Sequence, residues 1–113
     1  MESTARVRYL RTTPRKARLV VDAVRGKMVS EALNLLELSM QKAAAAPVAK
    51  ILKSAVANMQ SKHAEAAIDV DDLRVKEIKV EEGPMLKRFR PAAHGRASRI
   101  LKHMCHISVT IAN

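Results

Sequence analysis

Two alternating apolar segments near the C-terminus constrain the fold of this chain more than any other feature. The second segment carries four apolar residues at alternate positions: Cys105, Ile107, Val109 and Ile111. The first covers residues 73–80, and its alternation changes phase near Lys76 and Glu77. Such alternation is typical of strands, and the simplest closure is one antiparallel hairpin over about residues 73–110. The change of phase predicts either a β-bulge or a switch of the buried face.

This hairpin is too long for the core that the rest of the chain can build. Each arm would have about 15 residues and a length of roughly 50 Å. The 113 residues include no Trp, 18 Ala, and only Tyr9 and Phe89 as aromatics, so the core is thin. The hairpin tip, about residues 84–96, therefore lacks anything in its own chain to pack on. It combines apolar Met85, Leu86 and Phe89 with several cations, and structured RNA suits both properties.

The charge of the chain is concentrated at its two ends. Residues 1–27 carry eight basic and two acidic side chains, residues 28–82 carry seven and nine, and residues 83–113 carry six and none. Two cationic surfaces on a nearly neutral centre are typical of a protein that binds a polyanion. One alternative is a surface charged for solubility. Another is a DNA-architectural protein with β-ribbon arms that insert apolar residues into the minor groove.

The remaining periodicities predict one strand and three helices. Residues 5–9 alternate as a short strand with Arg6 and Arg8 facing outward. The first helix begins with Thr13 as N-cap and Pro14 at its first position, and ends near Gly26, which suits a left-handed residue. Ser30 is the N-cap candidate of the second helix, and Pro47 falls in the first turn of the third. The acidic stretch 64–72 is a connecting loop. The predicted buried stripes are Ala17, Val20, Val21 and Val24, then Val29, Leu33, Leu36 and Met40, then Val48, Ile51, Leu52, Ala55, Val56 and Met59.

The sequence offers no convincing catalytic or metal-binding constellation. In a strand, His103 and Cys105 point one way and His106 the other, and no second Cys completes a zinc site. A cluster of three aspartates at positions 69, 71 and 72 lacks the glycine and glutamate of a calcium loop, and a solvated loop is the simpler interpretation. Burial of Cys105 would prevent nucleophilic chemistry. We therefore expect no enzyme activity, no cofactor and no metal.

The chain also lacks the features of an exported or membrane protein. It has one cysteine, no signal peptide at its start and no run of about 18 apolar residues, so we expect a soluble, reducing, intracellular setting. The first helix could alternatively lie on a membrane surface, with Arg15, Lys16 and Arg18 opposite its apolar side. That apolar side is narrow and has no large residue, which favours a helix packed on the core with an RNA-facing side.

Several ordered motifs resemble one known family. They are Arg18-Leu19-Val20, Arg25-Gly26-Lys27, Ser54-Ala55-Val56-Ala57-Asn58, Gly83-Pro84-Met85-Leu86-Lys87-Arg88, Pro91, Gly95-Arg96-Ala97, Arg99-Ile100-Leu101-Lys102 and His106-Ile107. This series is similar to the signature of the bacterial large-subunit ribosomal protein family L twenty-two, and the similarity extends over essentially the whole chain. The resemblance implies a single α+β domain over residues 1–113, with three helices packed on a small three-stranded antiparallel sheet and a long protruding β-hairpin.

The resemblance also implies a function. A member of this family would be a structural constituent of the large subunit in the cytoplasmic ribosome, would bind large-subunit ribosomal RNA and would support subunit assembly. Its hairpin would line the nascent polypeptide exit tunnel, where family members are implicated in macrolide susceptibility and peptide-dependent stalling. Its partners would be the ribosomal RNA, neighbouring large-subunit proteins and the nascent chain, with no membrane, and the protein would be a monomer outside the ribosome.

Charge and resemblance together give the candidate site residues. RNA contacts are predicted for Arg6, Arg8, Arg11, Arg15, Lys16, Arg18, Arg25, Lys27, Lys87, Arg88, Arg90, Arg96, Arg99 and Lys102. The residues predicted to line the tunnel are Met85, Leu86, Lys87, Arg88, Phe89, Arg90, Pro91, Ala92, Ala93, His94, Gly95 and Arg96. The chain departs from the family pattern at Met85, where a small polar residue is common, and at Ala92 and His94, where basic residues are frequent. Its tip is therefore less positive than that of many relatives.

Overall fold

The computed structural model describes residues 1–39, 42–64 and 68–113, which form an α+β fold. Its elements are β1 (Glu2–Leu10), α1 (Pro14–Val24), α2 (Val29–Leu38), α3 (Lys42–Lys62), β2 (Arg74–Glu82), β3 (Leu86–Pro91), β4 (Ala97–Lys102) and β5 (Cys105–Ala112). Two short 3-10 turns, Val70–Asp72 and Ala93–Gly95, complete the described segments. The predicted three helices, three-stranded antiparallel sheet and protruding hairpin are confirmed.

The main sheet has the order β1-β5-β2, with both pairs antiparallel. The four alternating apolar residues of the central strand β5 are all buried, as predicted. In β2, Val75 pairs with Ile111 and Glu77 pairs with Thr110, which leaves Lys76 as an extra residue. The change of phase is therefore a β-bulge, and it keeps Val75 and Ile78 on the same buried face.

The core between sheet and helices is built from aliphatic side chains. Leu52 and Met59 of α3 and Val21 and Val24 of α1 are fully buried, together with Ile107 of β5. Burial of side chains of this size stabilises the fold by about 1.5–3 kcal/mol each. Both aromatic residues lie outside: Tyr9 is 60% and Phe89 is 73% exposed.

The first helix follows its predicted pattern closely. The four predicted apolar residues are buried, and Gly26 has φ +78° just after the helix end. Thr13 occupies the N-cap position, but its hydroxyl makes no capping hydrogen bond.

Three predictions about local structure are wrong, each because a tertiary contact prevails over a local signal. The second helix starts at Val29 with Met28 as N-cap, and Ser30 lies in its first turn. The reason is that the Val29 N–H donates to the Leu73 carbonyl at 2.9 Å, which fixes this segment beside β2. Leu33 of its stripe is half-buried, and Met40 lies outside the described residues.

The third helix starts earlier than predicted, so that Pro47 is its sixth residue. Alanine has the highest helix propensity, and Ala44 and Ala45 are buried, so packing favours a helical 43–46 segment. A proline here removes only the hydrogen bond to the carbonyl of Ala43, which lies at the surface where water can replace it.

The alternation predicted for β1 fails at Tyr9. The register between β1 and β5 shifts between Val7 and Leu10, and Tyr9 has φ +57°. This bulge turns the Tyr9 ring away from the buried face that holds Ala5.

The long hairpin consists of two ladders instead of one. The ladder of β2 and β5 ends at Glu82 and Cys105, and a separate ladder pairs β3 with β4 from Leu86 and Lys102 outward. Between them lies the neck, residues 83–85 and 103–104, where the Gly83 N–H donates to the Met104 carbonyl at 2.9 Å. We call residues 86–102 the distal hairpin. None of its residues is buried, and it extends the molecule to 66 Å along its longest axis.

Candidate nucleic-acid interface

The structure places nearly all of the predicted RNA-binding cations at the surface. Thirteen of the fourteen are exposed, and Lys27 is half-buried. They fall into three groups. The first lies at β1 and just after it, the second on and just after α1, and the third on the distal hairpin.

The α1 group meets the base of the hairpin. A groove of about 620 Å³ separates the start of α1 from the neck. Arg15, Lys16 and Arg18 line one side, and Met85 and Met104 lie on the other side together with Gly83, Glu82 and His103. The cations of the α1 group therefore face the neck across this groove, and two apolar thioethers lie opposite them. Phosphates can bind to the cations of such a surface while bases or sugars contact its apolar part.

The β1 group lies on the exposed face of the sheet beside two aromatic rings. Arg6 and Arg8 share a shallow depression with Tyr9 and His106. The Tyr9 N–H donates to His106 Nδ1 at 3.0 Å, and the two rings meet edge to face with centroids 5.0 Å apart. An exposed ring fixed next to arginines can stack on a base. Sequence reasoning missed Tyr9 and His106 as candidates, because their proximity depends on the β1 bulge.

Some predicted cations have intramolecular roles. The Arg25 guanidinium donates through Nη1 to Asp22 at 2.6 Å and through Nη2 to the Ile78 carbonyl at 3.1 Å. Arg18 Nη2 donates to the Val80 carbonyl at 3.3 Å, and Lys27 lies 3.8 Å from Glu31. Arg25 thus joins α1 to β2, and its guanidinium is held against the protein.

The distal hairpin presents cations on both of its faces. Its ladder pairs Leu86 with Lys102, Lys87 with Leu101, Arg88 with Ile100 and Phe89 with Arg99. Directly paired residues share a face, and successive pairs alternate between faces. Each of these four pairs joins an apolar side chain to a cation, so neither face is an apolar surface that could pack on a protein core. Phe89 lies within β3, three positions before the turn that begins at Ala92.

The tip is a compact turn between Pro91 and Ala97. The Ala92 N–H donates to the Arg96 carbonyl at 2.6 Å. His94 and Gly95 have φ +61° and +72°, so two consecutive residues adopt the left-handed conformation. Glycine does so without strain, whereas histidine does so at some cost. The imidazole of His94 is exposed at the end of the molecule.

The electrostatics outside these surfaces are ordinary. The hydrogen-bonded salt bridge with Lys76 lowers the pKa of Glu2, and the one with Glu77 raises the pKa of Lys79. Burial raises the pKa of the Cys105 thiol, which opposes formation of a thiolate.

Among the described residues, no three potential ligands gather into a metal site, and no helix has the length and apolarity to cross a membrane.

Comparison with known proteins gives a consistent result. A sequence model of the family described as ribosomal protein L22p/L17e matches residues 5–112. The chain is 53% identical over 111 residues to the large ribosomal subunit protein uL22 of Syntrophotalea carbinolica. The aligned region covers 98% of this chain and 97% of that protein.

The fold, the cationic surfaces and these similarities define a structural ribosomal protein, a class that is not enzymatic. The chain belongs to the ribosomal protein L22p/L17e family. It is a protein of the large subunit in the cytoplasmic ribosome and takes part in translation.

Proposed function

We propose that the protein binds large-subunit ribosomal RNA through its three cationic groups and supports subunit assembly. In this proposal, the distal hairpin is enclosed by RNA, and its tip lines the nascent polypeptide exit tunnel. The observation that carries the proposal is the distal hairpin itself, which has no buried residue and has cations on both faces. A hairpin lying on a flat RNA surface would need cations on one face only.

Binding of this kind depends on phosphate contacts and shape. Each lysine or arginine that neutralises a phosphate releases condensed counterions, which supplies much of the affinity. The apolar partners of these cations, including Leu101 and Ile100, contact sugars and bases where RNA closes around the hairpin. Phe89 wedges or stacks between bases, since its ring is 73% exposed. No arrangement here favours sequence-specific readout of base edges.

The tip is the part proposed to face the nascent chain and macrolide drugs. Between the ladder and Arg96 it presents Ala92, Ala93 and His94, all of them exposed. The turn itself adds no lysine or arginine between Arg90 and Arg96, so this end of the molecule is less positive than a tip with basic residues at positions 92 and 94. We therefore propose that the tip acts on nascent peptides through its shape more than through an electric field.

Sedimentation of the tagged protein in a cell lysate tests the proposal. On sucrose gradients at moderate and at high salt, the full chain should migrate with large subunits in both conditions. An electrostatic passenger would be stripped as salt competes for the phosphates. A variant lacking residues 85–96 should dissociate at high salt. Full chain at the top of the gradient, or migration with DNA, would overturn the proposal and favour a DNA-architectural protein. Sedimentation equilibrium of the free protein should give a monomer, whereas that rival class usually forms dimers.

Two matched substitutions test the enclosure of the hairpin. Arg88 and Arg99 lie on opposite faces of the distal hairpin. Arg88→Gln and Arg99→Gln should each lower the salt concentration at which the protein leaves the subunit. An effect of only one of them would show that RNA covers a single face.

A further inference from the structure

The outer edge of β1 is covered by α3 at one end only. Near the start of β1, the Ser3 hydroxyl donates to the Ala55 carbonyl at 3.0 Å, and Asn58 Nδ2 donates to the Thr4 carbonyl at 3.3 Å. Further along the strand, the two elements separate and leave an open groove of about 500 Å³. We call it the β1–α3 groove. Its walls include Val7 and Leu10 of β1 and Pro47 and Ile51 of α3.

Within the described part of the chain, the strand edge in this groove has backbone groups without a hydrogen-bond partner. Because Thr4 directs its carbonyl to Asn58, its N–H and C=O lie on the outer edge of β1, away from β5. Backbone groups alternate between the two edges of a strand, so those of Arg6 lie on the same outer edge as those of Thr4. At Arg6 the helix has already moved away, and the edge can accept another strand.

The charges around the groove specify its occupant. Among the described residues, Arg6 and Lys50 are the charged ones that line it, and both are cationic. An extended polypeptide can form hydrogen bonds with the strand edge and can place apolar side chains on the apolar wall of the groove. A nucleic acid backbone lacks the alternating N–H and C=O groups that pairing with a strand edge requires. A second copy of this chain, paired through β1, would bring its Arg6 close to the first Arg6, and like charges would oppose that dimer.

We propose that the β1–α3 groove binds an extended segment of a neighbouring large-subunit protein, which adds to β1 as an outer strand and places a carboxylate between Arg6 and Lys50. The proposal rests on membership of the large subunit, and it assigns Arg6 to a protein contact while the other predicted cations remain available for RNA.

Cross-linking in assembled subunits tests the proposal. The only native cysteine, Cys105, is fully buried, so a cysteine introduced on the surface can be labelled selectively. Ser54→Cys, in the groove, would carry a benzophenone group, and Asn34→Cys on the exposed surface of α2 would be the control. After incorporation into large subunits, confirmed by sedimentation, irradiation and mass spectrometry identify the attached species. We expect the Ser54 label to attach to one segment of another ribosomal protein that contains Asp or Glu, and the Asn34 label not to attach to that segment.

A charge reversal gives the second arm of the test. Lys50→Glu in the labelled protein should lower the yield of that cross-link at least fivefold, while Lys53→Glu, on the same helix but outside this groove, should leave it unchanged. Attachment to ribosomal RNA, attachment to a second copy of this chain, or no attachment in incorporated protein would overturn the proposal. The proposed RNA-binding role has a separate readout, because its failure would appear as loss of sedimentation with large subunits.

Discussion

At the scale of single residues, the cations of α1 divide into two kinds. Arg25 is held by Asp22 and by the Ile78 carbonyl, and so joins helix to sheet. Arg15 and Lys16 have no ion pair among the described residues and line the groove between α1 and the neck. Cations at the two ends of one helix thus differ: Arg25 contributes to stability, whereas Arg15 and Lys16 remain available for the proposed contacts with RNA.

This division predicts opposite effects of two alanine substitutions. Arg25→Ala should lower the free energy of unfolding by about 1–2 kcal/mol, because it removes a hydrogen bond from a charged group to a partly buried carbonyl. Arg15→Ala should change it by less than about 0.5 kcal/mol. The Arg15 variant should instead bind ribosomal RNA more weakly, with a salt dependence reduced by about one unit of slope. Urea denaturation and RNA titrations at several salt concentrations measure both. Equal stability of the two variants would refute the division.

The buried thiol predicts how stability depends on pH. Burial raises the pKa of Cys105 in the folded protein. The unfolded chain therefore loses its thiol proton at lower pH than the folded protein, and this part of the stability falls as pH rises through the alkaline range. Between pH 8 and pH 10, the urea midpoint of the wild-type protein should fall further than that of Cys105→Val. Identical losses in both proteins would mean that the thiol does not contribute.

At the scale of elements, the sequence pattern predicts those features that depend on side chains within one segment. The alternation of β5 and the apolar stripe of α1 each depend on side-chain order along one segment, and both predictions are confirmed. The change of phase near Lys76 is also visible in the sequence, but only the structure decides that it is a bulge and not a switch of the buried face. The starts of α2 and α3 and the outward Tyr9 were not, because they depend on contacts with β2, α2 and β5 that no single segment reveals.

The candidate site shows the same boundary between what can and cannot be predicted. Cations were identifiable as surface residues, since their burial is costly. Their grouping could not be predicted: the meeting of α1 with the neck, the internal partners of Arg25 and the position of Tyr9 beside His106 all depend on the fold.

The independence of the distal hairpin from the core predicts a tolerated deletion. Replacing residues 84–103 by Asn-Gly would join Gly83 to Met104 through a two-residue turn at the point where they are already hydrogen-bonded. Since no residue of the distal hairpin is buried, the free energy of unfolding should change by less than about 1 kcal/mol. Circular dichroism and urea denaturation would check this, and failure to fold would show that the hairpin supports the core.

At the scale of the whole molecule, the protein is far more extended than its length requires. Its radius of gyration is 17.3 Å, whereas a compact chain of this size would have about 13 Å. Small-angle X-ray scattering of the free protein should give a value well above 13 Å, and the Asn-Gly variant should give about 12–13 Å. Equal values for the two proteins would mean that the hairpin folds back on the body in solution.

The exposure of the distal hairpin also has a consequence for copies of the protein that are not assembled into a ribosome. Proteases act on exposed chain that can open locally, and no residue of the distal hairpin is buried against the body. We therefore expect a free copy of the protein to be cleaved first in the distal hairpin, while the body remains folded. Under the proposed function, cleavage there would remove the element that anchors the protein in RNA, so intact copies would persist only where RNA encloses the hairpin.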